Sequence, residues 1–166
     1  MTANPDDVAL HTLARRLGER LLARGWMTAT AESCTGGWIA KTLTDVAGSS
    51  AWFDRGFVTY TNEAKQDLLG VRGDTLAAQG AVSEATVREM VAGALARSRA
   101  AVAVAVSGIA GPSGGTADKP VGTVWLAWGD RDGAIRAERY RFDGDREAVR
   151  RQAVARAIQG LDELLG

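Results

Sequence analysis

The chain has 166 residues, with 20 basic and 20 acidic side chains, 20 glycines, one histidine and one cysteine. That length suits one domain, taken as residues 1–166, with a sizeable core. Zero net charge argues against a nucleic-acid binder that relies on bulk electrostatics. His11 and Cys34 alone can build neither a zinc cluster nor a disulfide framework; no metal is expected, and no cofactor is expected either. The same shortage makes histidine a poor candidate for a catalytic base. No apolar run approaches bilayer length, and MTANPDDVAL lacks the features of a secretory signal. The expected compartment is the cytoplasm, with no membrane partner.

The first helix is predicted over residues 5–24, with Leu10, Leu13, Leu17 and Leu21 on one face and Gly25 ending it. A short strand follows at Met27–Ala31. Glu32-Ser33-Cys34-Thr35-Gly36-Gly37 then leads into a helix from Trp38 to Val46, broken by Gly48. Residues 56–61 read as a second strand. Asn62 is placed to cap a helix through Leu69, closed by Gly70. Residues 71–80 read as irregular, and Ser83 caps a helix to about Ser98. Ala101–Val106 is an apolar run suited to a strand covered on both faces. A glycine-rich loop spans 107–115. Residues 121–128 and 134–142 form a hairpin around 130–133, and 145–164 is the final helix, capped by Asp143 or Asp145. The alternation of elements predicts an α/β fold, a three-layer α/β/α sandwich. The late hairpin makes the sheet mixed, mostly parallel.

Two glycine-rich loops each follow a predicted strand, where open α/β sheets bind ligands. In the first, Ser33 could be a nucleophile with neighbouring N–H groups as an oxyanion hole, or it could cap the next helix. Cys34 reads as a small packing residue. The second loop, with Lys119-Pro120-Val121-Gly122 after it, holds five glycines and two prolines between two strands. Glycines let backbone approach a phosphate closely, although a surface turn would use them too. Neither a P-loop ending nor a dinucleotide fingerprint is present. Tyr60 and Lys65 are one residue too far apart for a short-chain dehydrogenase pair. Lys65 could instead be a base for Ser33 if burial lowers its pKa, or a solvated surface charge. Arg146 could hold a phosphate or carboxylate through its fork. Between Arg131 and Arg156 there are eight arginines and five acids, a balance typical of a solvated helix face. Trp125 and Trp128 should face opposite sides of a strand, in the core or at an oligomer contact. Trp38 and Trp52 read as core, and His11 as structural.

Taken in order, TAESCTGG at 30–37, GSSAWF at 48–53, GFVTYTNEAK at 56–65, GAVS at 80–83, SGIAGPSGG at 107–115 and KPVGTVW at 119–125 form a distinctive series. This series resembles the CinA C-terminal domain family, whose characterised members are nicotinamide-nucleotide amidases. The resemblance runs from about Thr30 to Trp128, and the flanking helices fit it. In many relatives the domain follows a larger molybdopterin-binding-like domain; this chain resembles the stand-alone form. The resemblance implies hydrolysis of the carboxamide of nicotinamide mononucleotide to nicotinate mononucleotide and ammonia. It implies Ser33 as nucleophile, Lys65 as its base and Tyr60 as an aid to proton transfer or substrate placement. The one departure is Thr61, where relatives often carry serine. On this reading Thr35, Gly36 and Gly37 face the oxyanion, and Ser107, Gly108, Gly111, Gly115 and Arg146 hold phosphate or ribose. The partner is a small-molecule substrate, and a homo-oligomer is expected. The competing reading is a non-catalytic nucleotide-binding module that uses the same loops, or an amidase for a related pyridine nucleotide.

Overall fold

The structure, a computed structural model, describes residues 4–166. Six helices are arranged around one five-stranded sheet: α1 (Asp7–Arg24), α2 (Trp38–Thr44), α3 (Asn62–Leu69), α4 (Gly73–Gln79), α5 (Glu84–Ala96) and α6 (Arg146–Leu164). The strands are β1 (Thr28–Glu32), β2 (Phe53–Val58), β3 (Val102–Gly108), β4 (Thr123–Asp130) and β5 (Ile135–Arg141), in spatial order β2-β1-β3-β4-β5. β2, β1 and β3 pair in parallel, and the two pairings of β4 are antiparallel. The sheet is therefore mixed, and β4 alone runs against the other four strands.

The alternating sequence of β3 divides the core. Val102, Val104 and Val106 join one buried cluster with Leu10, Leu17 and Leu21 of α1, Ile39 and Leu43 of α2, and Val154, Ile158 and Leu161 of α6. Ala103 and Ala105 point the other way, into a cluster built on Val87, Met90, Val91 and Ala94 of α5 with Leu69 and Leu76. Helices therefore cover both faces of the sheet. Trp128 and Trp125 fall on opposite faces, as their spacing requires. Gly160 of α6 lets the helix lie directly on the Trp128 ring: a Cβ there would stand 2.0 Å from the indole. The indole N–H of Trp128 donates to the Ala157 carbonyl at 2.9 Å. Trp52 is buried in the same cluster, while His11 lies on the exposed face of α1.

Three local expectations are corrected. β2 begins at Phe53 rather than residue 56, because Phe53 pairs with Thr28 at the open sheet edge and the Asp54 carboxylate there accepts from the Arg99 N–H and from Arg55 Nε, both at 2.8 Å. Thr61, not Asn62, caps α3: its backbone is extended and its side chain accepts the Ala64 N–H at 3.1 Å. Residues 73–79 form helix α4 instead of an irregular stretch. That helix has no side-chain cap of its own. Glu89 of α5 reaches back to accept from the Arg72 N–H at 2.8 Å and the Thr75 hydroxyl at 2.5 Å. Asp145 is the cap of α6.

Candidate active site

The chain leaves β1 toward β2 and leaves β3 toward β4, in opposite directions across the sheet. β1 and β3 are neighbours, so their carboxyl ends flank a crevice at a topological switch point. Glu32 pairs with Val106, and the Ser33 N–H donates to the Val106 carbonyl at 3.0 Å. The two glycine-rich loops therefore begin side by side. A cavity of about 270 Å³ opens between them, lined by Ser33, Cys34, Tyr60, Lys65, Ala81, Val82, Ser107, Gly108, Gly111, Ser113, Gly114 and Arg146 among others. A larger cavity, about 790 Å³, lies between β5 and α6 around Tyr140, Phe142 and Arg156. It holds none of the candidate catalytic or binding residues, whereas the smaller one holds Ser33 and Lys65 together.

Lys65 is fully buried on α3. Its Nζ donates to the Thr59 carbonyl at 2.8 Å and the Tyr60 carbonyl at 3.2 Å, and lies 3.0 Å from Ser33 Oγ. Among the described residues it has no carboxylate partner, and burial holds its pKa below the ordinary 10.5. Ser33 is 7 % exposed and faces the cavity. It does not cap α2, whose N-cap is Gly37. Cys34 packs in the core, and burial pushes its thiol up to about 12, so it stays protonated and inert.

Seven of the eleven sequence-derived positions meet in this cavity: Ser33, Tyr60, Lys65, Ser107, Gly108, Gly111 and Arg146. Thr35, Gly36 and Gly37 do not line it. They lie beside Trp38, Lys41 and Arg151 on the other side of the first loop. The Gly36 N–H is already taken by the Ser33 carbonyl at 3.0 Å. Gly115 also lies outside; it packs on Val121, where a Cβ would meet the Val121 nitrogen at 2.7 Å. Gly111 has φ of +82°, a left-handed conformation that glycine tolerates best. Its carbonyl accepts from Arg146 Nη1 at 2.8 Å, and the other arm of Arg146 donates to the Tyr60 hydroxyl at 3.1 Å. Tyr60 is 56 % exposed at the mouth of the cavity and meets Lys65 through its backbone carbonyl rather than its ring.

Two residues that shape the site were not singled out by sequence. Glu32 is fully buried, and its carboxylate accepts from the Thr35 hydroxyl at 2.6 Å and from the Ile39 and Ala40 N–H groups at 2.9 Å. The positive end of α2 is therefore occupied by the protein's own carboxylate. Arg150 bonds to the Cys34 and Thr35 carbonyls. The only sequence signal for Glu32 is an acid at the end of a strand of small residues. For Arg150 it is a place one helical turn beyond Arg146. Among the described residues, no group of three or more His, Cys, Asp or Glu is placed to hold a metal ion, and no helix is long and apolar enough to cross a membrane.

A profile of the CinA C-terminal domain matches residues 10–165. The chain belongs to the CinA C-terminal domain family. It is 59% identical over 155 residues to the nicotinamide-nucleotide amidohydrolase PncC of Escherichia coli strain K12, covering 93% of this chain and 94% of that one. It is 58% identical to the protein of the same name from Pseudomonas putida, over 92% of this chain and 95% of that one. Among solved structures, a competence/damage inducible protein from Agrobacterium tumefaciens superposes with a TM-score of 0.92 at 52% identity, covering 99% of both chains. These family relatives share the α/β architecture described above, and their likeness extends well beyond the motifs.

Proposed function

We propose that this chain hydrolyses the carboxamide of nicotinamide mononucleotide, giving nicotinate mononucleotide and ammonia, with Ser33 as nucleophile and Lys65 as base. The observation that carries the mechanism is the setting of Lys65. Two carbonyls take two of its N–H bonds, and the third tetrahedral direction faces Ser33 Oγ at 3.0 Å. In a neutral amine that direction is the lone pair. Burial without a carboxylate partner favours the neutral form. The identity to amidohydrolases over nearly the whole chain supports the reaction class.

In the first step Ser33 Oγ attacks the carboxamide carbon while its proton passes to Lys65 Nζ. The C–N bond then breaks, Lys65 returns the proton to the departing nitrogen, and ammonia leaves. Water, deprotonated by Lys65, then attacks the acyl-enzyme; the bond from the acyl carbon to Ser33 Oγ breaks, Lys65 returns the proton to Oγ, and the carboxylate product leaves. Ser33 and Gly36 spend their N–H groups on backbone carbonyls, and Thr35 and Gly37 lie outside the cavity, so of the first loop's amides that of Cys34 would be left to meet an oxyanion. Ser107, Gly108 and Gly111 would hold the ribose and phosphate with Arg146, where an adjoining cavity of about 510 Å³ shares Ala110 and Arg146. The same reading carries a single domain, a cytoplasmic setting, self-association and salvage of pyridine nucleotides.

The test is ammonia release from nicotinamide mononucleotide by the purified protein in EDTA. Wild type should turn over, and Ser33→Ala should lose at least about a thousandfold in kcat. Nucleotide binding without ammonia from wild type would replace this reading with a non-catalytic module. An unchanged Ser33→Ala rate would remove Ser33 as nucleophile.

A further inference from the structure

We infer that Arg150 is a positioning residue for the nucleophile, acting through the loop that carries Ser33. This rests on the amidase reading above. Residues 33–36 form a turn closed by the Gly36 N–H on the Ser33 carbonyl at 3.0 Å. The two central carbonyls of that turn belong to Cys34 and Thr35. Arg150 donates to both, from Nε to Cys34 at 3.0 Å and from Nη2 to Thr35 at 3.2 Å. Its guanidinium also lies 5.3 Å from the centre of the Trp38 ring, at the start of α2.

A trans peptide unit is planar, with its C=O and N–H on opposite sides. Holding the Cys34 carbonyl therefore fixes the direction of the Thr35 N–H. Holding the Thr35 carbonyl likewise fixes the Gly36 N–H, the donor that closes the turn onto Ser33. The Ser33 N–H is tied to Val106, so both backbone groups of the nucleophile are set. The remaining freedom is its side-chain torsion, which Lys65 addresses. Glu32 braces the same loop from beneath through the Thr35 hydroxyl. Arg150 is the brace from α6, and Arg146 one turn earlier grips the second loop at Gly111. The first turns of α6 thus bridge both loops of the crevice.

A neighbouring arginine provides the control. Arg151 lies 4.9 Å from the same indole, but it is engaged with Asp7 and Glu147 rather than with the loop. Arg150→Ala should lower kcat about 10- to 100-fold because the nucleophile is displaced; Arg150 also lines the adjoining cavity, so a loss confined to KM would overturn the positioning role. Added guanidinium at sub-denaturing concentration should restore part of the lost kcat, and equal sodium chloride should not. Arg150→Lys should recover less than half of wild-type kcat, since an ammonium cannot span two carbonyls as a fork does. Arg151→Gln should keep kcat within about twofold of wild type.

A second readout is independent of the nucleotide: the rate at which phenylmethylsulfonyl fluoride labels Ser33, followed by mass spectrometry. There Ser33 Oγ bonds to sulfur, fluoride leaves and Lys65 takes the proton. This rate should fall in Arg150→Ala in parallel with kcat. Wild-type kcat and labelling in Arg150→Ala would overturn the positioning role, as would an equal loss in Arg151→Gln. A wild-type chain that releases no ammonia from the nucleotide but labels at Ser33 would fail the amidase reading alone. The labelling ratio then decides the role of Arg150 by itself. A wild type that does neither removes both.

Discussion

Lys65 is a lysine whose surroundings suit an amine better than an ammonium. It has carbonyls and a hydroxyl for neighbours, no carboxylate, and no exposure. Its pKa is lowered from 10.5 by burial. Activity should therefore rise with pH through that lowered pKa and level off above it, well before an ordinary lysine would titrate. The rising limb of a kcat/KM profile measures this directly. Stability follows with the same sign. Between the folded pKa and 10.5 the unfolded chain binds the extra proton, so unfolding is opposed increasingly as pH rises. Chemical denaturation of wild type against Lys65→Met across that window should show the stability difference moving in favour of wild type as pH rises. Lys65→Arg should be inactive at every pH tested, since a guanidinium stays protonated.

Helices α5 and α6 and strand β3 show how elements were chosen. The Val/Ala alternation of β3 sorts the strand between two clusters. Gly160 places α6 against Trp128 with no side chain between them. Gly160→Ala should cost about 1–3 kcal/mol of stability, because either the indole or the helix must move. Urea unfolding gives the number. α6 carries Arg146 and Arg150 on its first two turns, so a shifted helix should also depress turnover. Elements with their own signals were legible in the sequence: α1 with its leucine face and Gly25, α5 with Ser83, and α6 with Asp145. α4 was not, because its cap is Glu89, seventeen residues past Arg72 and on a different helix. β2 was displaced in the sequence reading because an edge strand tolerates charge on its open side.

At the scale of the molecule, strand order makes the site. β1 and β3 become neighbours only because β2 is placed on the outer side of β1. That brings residues 33 and 107 to one crevice, and α3 swings Lys65 beneath it. A small phosphorylated ligand seated there should stabilise the whole fold. With Ser33→Ala, which cannot turn over, nicotinamide mononucleotide at a hundred times Kd should add about 2.7 kcal/mol. Thermal unfolding with and without the nucleotide checks this, and no shift in Tm would place the ligand elsewhere.

Sequence alone determined the classes of residue available for chemistry. With one histidine and three lysines, a serine paired with a lysine was among the few nucleophile–base combinations left, and the ordered motifs named the family. It also set the helix faces and the two-sided strand, since periodicity is a local property of the chain. Tertiary structure decided which glycines face the cavity. Thr35, Gly36 and Gly37 lie on the far side of the first loop and Gly115 packs on Val121, all outside the cavity that holds Ser33 and Lys65. It also recruited Glu32 and Arg150, whose roles depend on amides and carbonyls supplied by other residues. The physical reason is that a backbone group becomes available or occupied only once its neighbours in space are placed. A side chain's identity is written in the sequence, but its partners come from the packing.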